Sequence, residues 1–405
     1  MKRAPSYDTE IFERGVEHII THKELETRLA QKKQLRIKHG IDATAPGLHL
    51  GHAASLWKIR ALQEAGHCAV ILLGDVTTTI GDPTGRSKAR PALSEKEIAS
   101  NARAIEKEAS TILLTGRGQL EFHRSSEWYK KMALPKFLSL LAHVTHARLI
   151  ERDMFQVRIQ SGNEIFVSEL IYPILQGYDS VMLNADLTII GSDQLFNEHM
   201  GRFLQERLGQ PPQVIVALAI LPGLDGGEKM SKSAGNFIAL SDSPENKFGK
   251  AMRVPDSLII PYLTMYTDVP SAEIKKMETA LSRHGNPMAA KLFFAEVLVR
   301  RYHGTPIARR ERERFIARFS RKEVPDDPPV VTCSRPPKDI VELLLHSGLV
   351  VSKSEGRRVI QQGGVKIDGV VARDIDLVIP GGKTVMVQVG KRRLAKVIIP
   401  PWPRS

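Results

Sequence analysis

The chain has few cysteines and no long apolar run. Among its 405 residues only Cys68 and Cys333 are cysteine, and they are far apart. This spacing gives neither a disulfide framework nor a zinc site, so we expect a reducing, cytoplasmic location and no bound metal. No apolar stretch approaches the ~20 residues that span a bilayer, and residues 1–10 lack the apolar core of a secretory signal. We therefore expect no membrane partner.

Aromatic residues are also sparse, at 6% of the chain, whereas positive charge is abundant. The formal net charge is +13, and the sequence pI is about 9.7. Lysine and arginine bind polyanions by displacing counterions from phosphates, so the excess indicates a nucleic-acid or polyphosphate partner. A generally basic proteome would give the same balance, and composition does not separate the two.

The apolar pattern divides the chain into four parts. Over residues 1–240, helical patterns alternate with short apolar runs typical of buried strands, at 34–41, 69–73, 187–190 and 214–218. This alternation predicts an α/β fold with a doubly wound parallel sheet. Residues 241–320 show helical periodicity. Residues 321–337 hold five prolines and predict a linker, and paired glycines in 338–400 predict turns of a small α+β domain.

A first candidate phosphate site follows the strand predicted at 34–41. Asp42 opens a tight turn, and the helix after it begins near His49-Leu50-Gly51-His52. Backbone N–H groups and the helix dipole favour anions at such a helix start. Gly51 allows close approach of a nucleotide, and the two imidazoles can donate to phosphate oxygens.

A second candidate lies about 180 residues downstream, in Lys229-Met230-Ser231-Lys232-Ser233 between glycines. Alone, this segment is typical of a solvated basic turn. Together with the histidine segment it predicts a cationic loop that closes over a polyphosphate, as in ATP activation of a carboxylate. Attack of a carboxylate on an α-phosphate needs positioning and cations rather than a protein nucleophile.

A polar set on one helix face predicts a ligand pocket. After Pro173, a helix would place Tyr172, Gln176 and Asp179 on the same face, where unpaired burial is costly. Ordinary capping at a helix start is the alternative reading. The strand at 187–190 ends in Gly191-Ser192-Asp193-Gln194, at the edge where doubly wound sheets bind ligands.

Five segments together resemble one family. GIDATAPGLHLGH (40–52), GDVTTTIGDPTGRSK (74–88), YPILQGYD (172–179), GSDQ (191–194) and EKMSKS (228–233) stand in the order found in bacterial tyrosyl-tRNA synthetases of class I. The resemblance covers almost the whole chain. It implies a Rossmann-type core, a helical anticodon-recognition domain, a homodimer, and Mg²⁺ carried on ATP. It also implies a ligase that forms tyrosyl-adenylate and transfers tyrosine to the 3' end of tRNA(Tyr).

The resemblance also implies roles for individual residues. The residues expected at the ATP phosphates are Thr44, His49, His52, Lys229 and Lys232. Those expected at the tyrosine ammonium are Asp82, Tyr172 and Gln176, with Asp179 accepting from the phenol hydroxyl. Those expected around the nucleotide, ribose and aminoacyl group are Asp42, Gly51, Gly191, Asp193, Gln194, Arg86 and Arg90. The chain departs from one branch of the family at Lys38, where that branch has a tyrosine that also contacts the hydroxyl.

The segment from Lys338 onward resembles S4 RNA-binding domains. It holds 12 Lys and Arg against 6 Asp and Glu, a net +6. Its expected RNA-binding residues are Lys353, Arg357, Arg358 and Lys366, which would grip the backbone of structured RNA. Three readings stay open: a soluble basic cap for this domain, a tryptophanyl relative for the whole chain, and an inactive RNA-binding paralogue.

Overall fold

The computed structural model describes residues 10–31, 34–82, 93–283, 285–319, 328–390 and 393–402. The chain forms two compact units, Met1–Glu311 and Arg312–Ser405. Within the described ranges, no helix is both long and apolar enough to cross a membrane. Both cysteines are free and buried.

The first unit contains a six-stranded sheet. Its strands are β1 (Val16–Ile20), β2 (Arg36–Ile41), β3 (Cys68–Leu73), β4 (Leu120–Arg124), β5 (Leu187–Gly191) and β6 (Val214–Leu218). Their order is β1-β6-β5-β2-β3-β4; β1 is antiparallel to β6, and the other pairs are parallel. The predicted α/β class and doubly wound sheet are confirmed. The edge strands β1 and β4 mix polar and apolar residues, so the apolar pattern does not predict them.

Helices cover and extend this sheet. They are α1 (Glu10–Glu13), α2 (His22–Gln31), α3 (Leu50–Glu64), α4 (Thr77–Ile80), α5 (Glu95–Ala109), α6 (Ser126–Tyr129), α7 (Leu134–Leu141), α8 (His146–Ile150), α9 (Asp153–Gln160), α10 (Val167–Met182), α11 (Leu195–Arg207), α12 (Pro244–Ala251), α13 (Ile259–Tyr266), α14 (Ser271–Ser282), α15 (Pro287–His303) and α16 (Thr305–Phe319). From α12 to α16 the described chain contains helices joined by turns and a short 3₁₀ segment, in agreement with the helical periodicity.

The strand order locates the ligand-binding edge. The chain winds outward from β2 through β3 to β4 in one direction, and from β5 to β6 in the other, so the winding reverses between the neighbours β2 and β5. Ligands of doubly wound sheets bind outside the carboxyl ends of the strands at such a reversal. Asp42 directly follows β2, and Ser192 directly follows β5.

The helix that carries the polar set begins earlier than the sequence predicts. It starts at Val167 rather than after Pro173, and Pro173 lies inside it. Glu169 holds the first turn, because its carboxylate accepts from the N–H of Phe166 at 2.9 Å and pairs with Arg158 at 2.6 Å. These contacts keep the turn before the proline helical.

The second unit is a small α+β domain. It contains α17 (Ile340–His346), α18 (Lys353–Gln361), and the strands β7 (Val330–Thr332), β8 (Val365–Ile367), β9 (Val370–Ala372), β10 (Thr384–Val389) and β11 (Arg393–Ile398). The sheet order is β7-β11-β10-β8-β9. Asp368 and Gly369 join β8 to β9 with φ of +49° and +84°, a turn suited to a tight hairpin.

Part of the predicted linker is a strand. Residues 321–327 lie outside the described residues, but β7 pairs in parallel with β11 and so belongs to this domain's sheet. Prolines 328 and 329 precede β7, which is an edge strand, where a missing N–H is tolerated. A strand therefore begins eight residues before Lys338, within a proline-rich segment whose composition predicts a linker.

Candidate active site

Two histidines are fixed at the start of α3. His49 is the N-cap, and its Nδ1 accepts from the N–H of Gly51 at 3.2 Å. The N–H of His49 donates in turn to Nδ1 of His52 at 3.3 Å. Since both Nδ1 atoms accept, the proton of each neutral imidazole lies on Nε2, which can donate to a ligand. A Cβ on Gly51 would lie 2.9 Å from Cε1 of His49, so the cap itself requires glycine.

Both imidazoles are held neutral. Burial, reinforced by Lys232 and Lys229, lowers the pKa of His49 to about 4. Burial and the neighbouring His49 place the pKa of His52 well below its usual range. At neutral pH this pair supplies N–H donors rather than positive charge, and the lysines supply the charge.

The lysine loop, residues 225–236, folds back over the turn that follows β2. Nζ of Lys232 donates to the carbonyl oxygens of Ala45, Pro46 and Gly47 at 3.2, 2.6 and 2.5 Å. Nζ of Lys229 lies 2.9 Å from Oδ2 of Asp193. The two cations therefore lie beside the carboxyl ends of β2 and β5.

Asn236 organises this loop, a role the sequence does not predict. Its side-chain oxygen accepts from the N–H of Ser231, and its amide group donates to Asp225 at 2.9 Å and to the carbonyl oxygens of Glu228 and Lys229. The side chain is 5% exposed. A single buried amide thus closes the loop that carries both lysines.

Asp179 lies deep in the polar face of α10, with only 2% of its surface exposed. Its Oδ1 accepts from Nε1 of Trp128 at 3.0 Å and lies 2.8 Å from the hydroxyl of Tyr129, whose single proton also has the carbonyl oxygen of Leu175 as an acceptor at 2.6 Å. Burial raises the pKa of Asp179 to about 7, while Lys38 acts in the opposite direction. Two ring side chains therefore fix this carboxyl group, and no sequence motif predicts them.

Tyr172, on the same face, reaches the turn after β2. Its hydroxyl donates to Oδ2 of Asp42 at 3.0 Å, and Thr77 donates to Oδ1 at 2.7 Å. A Cβ on Gly74 would overlap both Asp42 and Thr77. The structure thus brings Asp42 and Tyr172 together, and it adds Gly74 and Thr77 to the predicted set.

Gln176 and Gln194 are joined by a buried asparagine. Nδ2 of Asn197 donates to Oε1 of Gln176 at 3.0 Å and to Oε1 of Gln194 at 2.9 Å. Nε2 of Gln194 donates to Oδ2 of Asp82 at 2.7 Å. We call Gln176, Asn197 and Gln194 the amide chain. It links Gln176 of α10 to Gln194 after β5, and Gln194 in turn binds Asp82, which follows α4.

Lys38, at the position where one branch of the family has tyrosine, is bonded within the protein. It is fully buried, and its Nζ lies 3.0 Å from Oε1 of Glu198 and 2.7 Å from Oγ of Ser180. Glu198 also accepts from Gln176 at 2.9 Å and from Gln213 at 2.6 Å. The ion pair lies beneath the polar face of α10.

Other predicted residues lie apart or outside this description. Arg86 and Arg90 fall outside the described residues. Lys353, Arg357, Arg358 and Lys366 are exposed side chains on α18 and β8 of the second unit. A further cation, Arg152, is 9% exposed near Asp82, Tyr172 and Asp193, and nothing in its sequence context predicts this position.

Comparison with known proteins identifies the family. A model described as tRNA synthetases class I (W and Y) matches residues 30–320, and one for a Tyrosine--tRNA ligase C-terminal domain matches 321–394. A Tyrosine--tRNA ligase of Thermotoga maritima is 41% identical over 97% of this chain and 98% of its own length. One from Ralstonia nicotianae is 42% identical over 96% and 100%. The chain belongs to the class I tyrosyl-tRNA synthetase family. The resemblance drawn from the motifs is confirmed.

Solved structures of tyrosyl-tRNA synthetases share the fold. A C-terminally truncated mitochondrial enzyme from Coccidioides posadasii matches with a TM-score of 0.61 and 23% identity, over 75% of this chain and 90% of its own. The Archaeoglobus fulgidus enzyme, complexed with L-tyrosine, gives 0.58 and 24% over 75% and 98%. At these identities the likeness establishes the architecture of the family.

Proposed function

We propose that the protein is a tyrosine–tRNA ligase, which activates L-tyrosine with ATP and transfers the tyrosyl group to the 3' end of tRNA(Tyr). The observation that carries this proposal is the buried carboxyl group of Asp179, which Trp128 and Tyr129 hold in place. Asp179 lies on α10, the helix that also bears Tyr172 and Gln176. A ligand hydroxyl matches such an acceptor. An amino acid without that donor would leave a buried polar group unpaired, at a cost of about 1–3 kcal/mol or more.

Activation would proceed by attack of the tyrosine carboxylate on the α-phosphate of ATP. The neutral Nε2–H groups of His49 and His52, with Thr44 in the adjoining turn, would donate to phosphate oxygens. Lys232 and Lys229 would leave their present carbonyl and carboxylate partners to meet the charge that develops on the pyrophosphate. Mg²⁺ would enter with ATP, whose phosphate oxygens are the hard ligands it prefers.

The other predicted contacts complete the substrate site. Asp82, Tyr172 and Gln176 would bind the tyrosine ammonium. Asp42, Gly51, Gly191, Asp193 and Gln194 would surround the nucleotide and aminoacyl group, with Arg86 and Arg90 on the pyrophosphate side. We assign this catalytic domain to residues 1–240 and anticodon recognition to the helical domain, 241–320.

The second unit would bind tRNA. Lys353, Arg357 and Arg358 are exposed on α18, with Lys366 exposed on β8, and Gly356 and Ile360 of α18 face the core instead. Basic side chains on one surface can neutralise several backbone phosphates. We retain residues 338–400 as the core of an S4-type RNA-binding domain.

The protein would act as a cytoplasmic homodimer. A group of large apolar side chains is exposed between α7 and the start of α10. They are Leu134, Leu138, Val157, Ile159, Phe166 and Val167, exposed by 49–70%. Large apolar side chains exposed together on a globular surface are typical of an interface. Size-exclusion chromatography with light scattering, compared between the parent chain and Leu138→Asp, tests this assignment.

ATP–pyrophosphate exchange across a panel of amino acids tests the proposed reaction. Exchange should require tyrosine, and phenylalanine and tryptophan should support little. Tryptophan-dependent exchange would favour a tryptophanyl specificity, which the class I (W and Y) family model also includes. No exchange with any amino acid, from a chain that still binds tRNA, would favour an RNA-binding paralogue.

A further inference from the structure

The ion pair between Lys38 and Glu198 is unusual in its burial. The side chain of Lys38 is 1% exposed and that of Glu198 is 2% exposed. Removing two charges from water costs several kcal/mol per ion unless their hydrogen bonds are satisfied, so a buried pair contributes little net stability by itself. A pair kept in such a place calls for a role other than stability.

Both carboxylate oxygens of Glu198 accept hydrogen bonds. Lys38 donates to Oε1 at 3.0 Å and to Oε2 at 3.1 Å, Gln176 donates to Oε1 at 2.9 Å, and Gln213 donates to Oε2 at 2.6 Å. A carboxylate only accepts, so both glutamines must turn their amide nitrogens toward it. Lys38 supplies the opposite charge that allows this acceptor to remain buried.

The orientation of the Gln176 amide determines the orientation of the next amides in the chain. With its nitrogen on Glu198, Gln176 presents its oxygen to Nδ2 of Asn197. Asn197, which is fully buried, donates from the same nitrogen to the oxygen of Gln194. Gln194 is left with its nitrogen for Asp82. Reversing any one amide would place two donors or two acceptors against each other.

We propose that the Lys38–Glu198 pair is a positioning element that fixes the amide chain and so keeps the oxygen of Gln176 directed to the substrate ammonium. A carbonyl oxygen has two lone pairs, and Asn197 uses one on each glutamine. Gln176 and Gln194 are only partly buried, so the second lone pair can serve a ligand. This inference rests on the proposed function, because it takes an α-amino acid as the ligand.

Two glycines leave room for the hydrogen-bonded side chains around Glu198. A Cβ on Gly201 would lie 2.8 Å from Nε2 of Gln213 and 2.9 Å from Oγ of Ser180. A Cβ on Gly177 would lie 2.9 Å from the carbonyl carbon of Met200 and 3.0 Å from the backbone nitrogen of Gly201. The close packing of α10 on α11 therefore requires these glycines, and it brings Glu198 within reach of Gln176.

The first test is Glu198→Gln, assayed by pyrophosphate exchange. A neutral amide offers one acceptor oxygen where four donor contacts converge, so the direction of Gln176 is no longer imposed. The KM for tyrosine should rise roughly tenfold to hundredfold, the effect of losing a hydrogen bond to a charged group. The kcat and the KM for ATP should stay within about twofold, because ground-state binding of the ammonium is what changes.

Two further measurements separate positioning from a merely structural role. In a Gln176→Ala background, Glu198→Gln should add little, because the effect travels through Gln176. As a competitive inhibitor, 3-(4-hydroxyphenyl)propionate, which lacks the ammonium, should bind the variant and the parent equally. Equal losses for this analogue, or additive losses in the double variant, would overturn the proposal.

Controls cover loss of folding and loss of the proposed reaction. Lys38→Met with Glu198→Leu removes both charges and should give the same rise in KM, with circular dichroism showing that the variant is folded. Arg28→Met breaks the pair with Asp186, at the opposite edge of the sheet, and should leave the KM for tyrosine unchanged. If the parent chain shows no tyrosine-dependent exchange, the proposed function fails and this inference with it. If the parent is active and Glu198→Gln keeps its KM, only the inference fails.

Discussion

The replacement Asp179→Asn separates the charge of this residue from its shape. Trp128 donates to Oδ1 and the hydroxyl of Tyr129 lies within hydrogen-bonding distance of it, so an asparagine would turn its oxygen toward both. Its nitrogen would then occupy the place of Oδ2. The substitution therefore exchanges an ionisable acceptor for a neutral donor and leaves the surrounding contacts in place.

The effect on stability depends on pH. Burial raises the pKa of Asp179 from 3.8 to about 7 in the folded protein. Between about pH 4 and pH 7, the folded chain holds a proton that the unfolded chain has lost, so this group's contribution to stability falls as pH rises. Above about pH 7 it is ionised in both states, at a cost of about 4 kcal/mol to the fold. Asparagine avoids this cost.

Urea unfolding of parent and variant, followed by circular dichroism, measures this difference. Relative to the parent, the free energy of unfolding of Asp179→Asn should increase by about 3 kcal/mol between pH 5 and pH 8. A difference that does not change with pH would show that Asp179 keeps an ordinary pKa in the fold, and the burial argument would be wrong.

The effect on selectivity is measured by pyrophosphate exchange at about pH 8, where Asp179 is ionised. Sites that hydrogen-bond a substrate hydroxyl reject the analogue lacking it by about 10⁴- to 10⁵-fold, a range whose upper end comes from this enzyme family. With the neutral asparagine of Asp179→Asn as partner of the hydroxyl, the ratio of kcat/KM for tyrosine to that for phenylalanine should fall by roughly tenfold to hundredfold. Asp186→Asn, a buried carboxylate at the opposite sheet edge, should not change it. An unchanged ratio for Asp179→Asn would mean that another group recognises the hydroxyl.

Three other outcomes are expected. Lys232→Ala should slow adenylate formation in pre-steady-state kinetics with little change in the Kd for tyrosine, since its charge acts in the transition state; equal losses in both would indicate a folding defect. Gly74→Ala should lower the free energy of unfolding by about 1–3 kcal/mol, because its Cβ would overlap Asp42 and Thr77, whereas Gly40→Ala, whose Cβ would meet nothing within 4 Å, should not. Truncation after Pro329 removes the whole sheet of the second unit; adenylate formation should remain, tRNA charging should fall and the salt dependence of tRNA binding should become shallower.

The sequence alone predicted the sheet class, four of its strands and the family. Each of these depends on information carried by neighbouring residues. The apolar runs at 187–190 and 214–218 form strands within one residue of the predicted bounds, because burial on both faces requires a continuous apolar run. The start of α3 was equally predictable from the sequence, since a helix cap is a contact between residues two or three positions apart.

Tertiary structure decided how the site is held. Lys38 and Glu198 are 160 positions apart, and neither lies in a recognisable motif, yet the fold brings β2 and α11 together so that they form an ion pair. Trp128 and Tyr129 reach Asp179 only because α6 packs beside α10. The pKa values of His49 and Asp179 likewise depend on burial by distant segments. Charge, hydrogen-bond direction and desolvation are properties of the packed environment, which local sequence patterns do not encode.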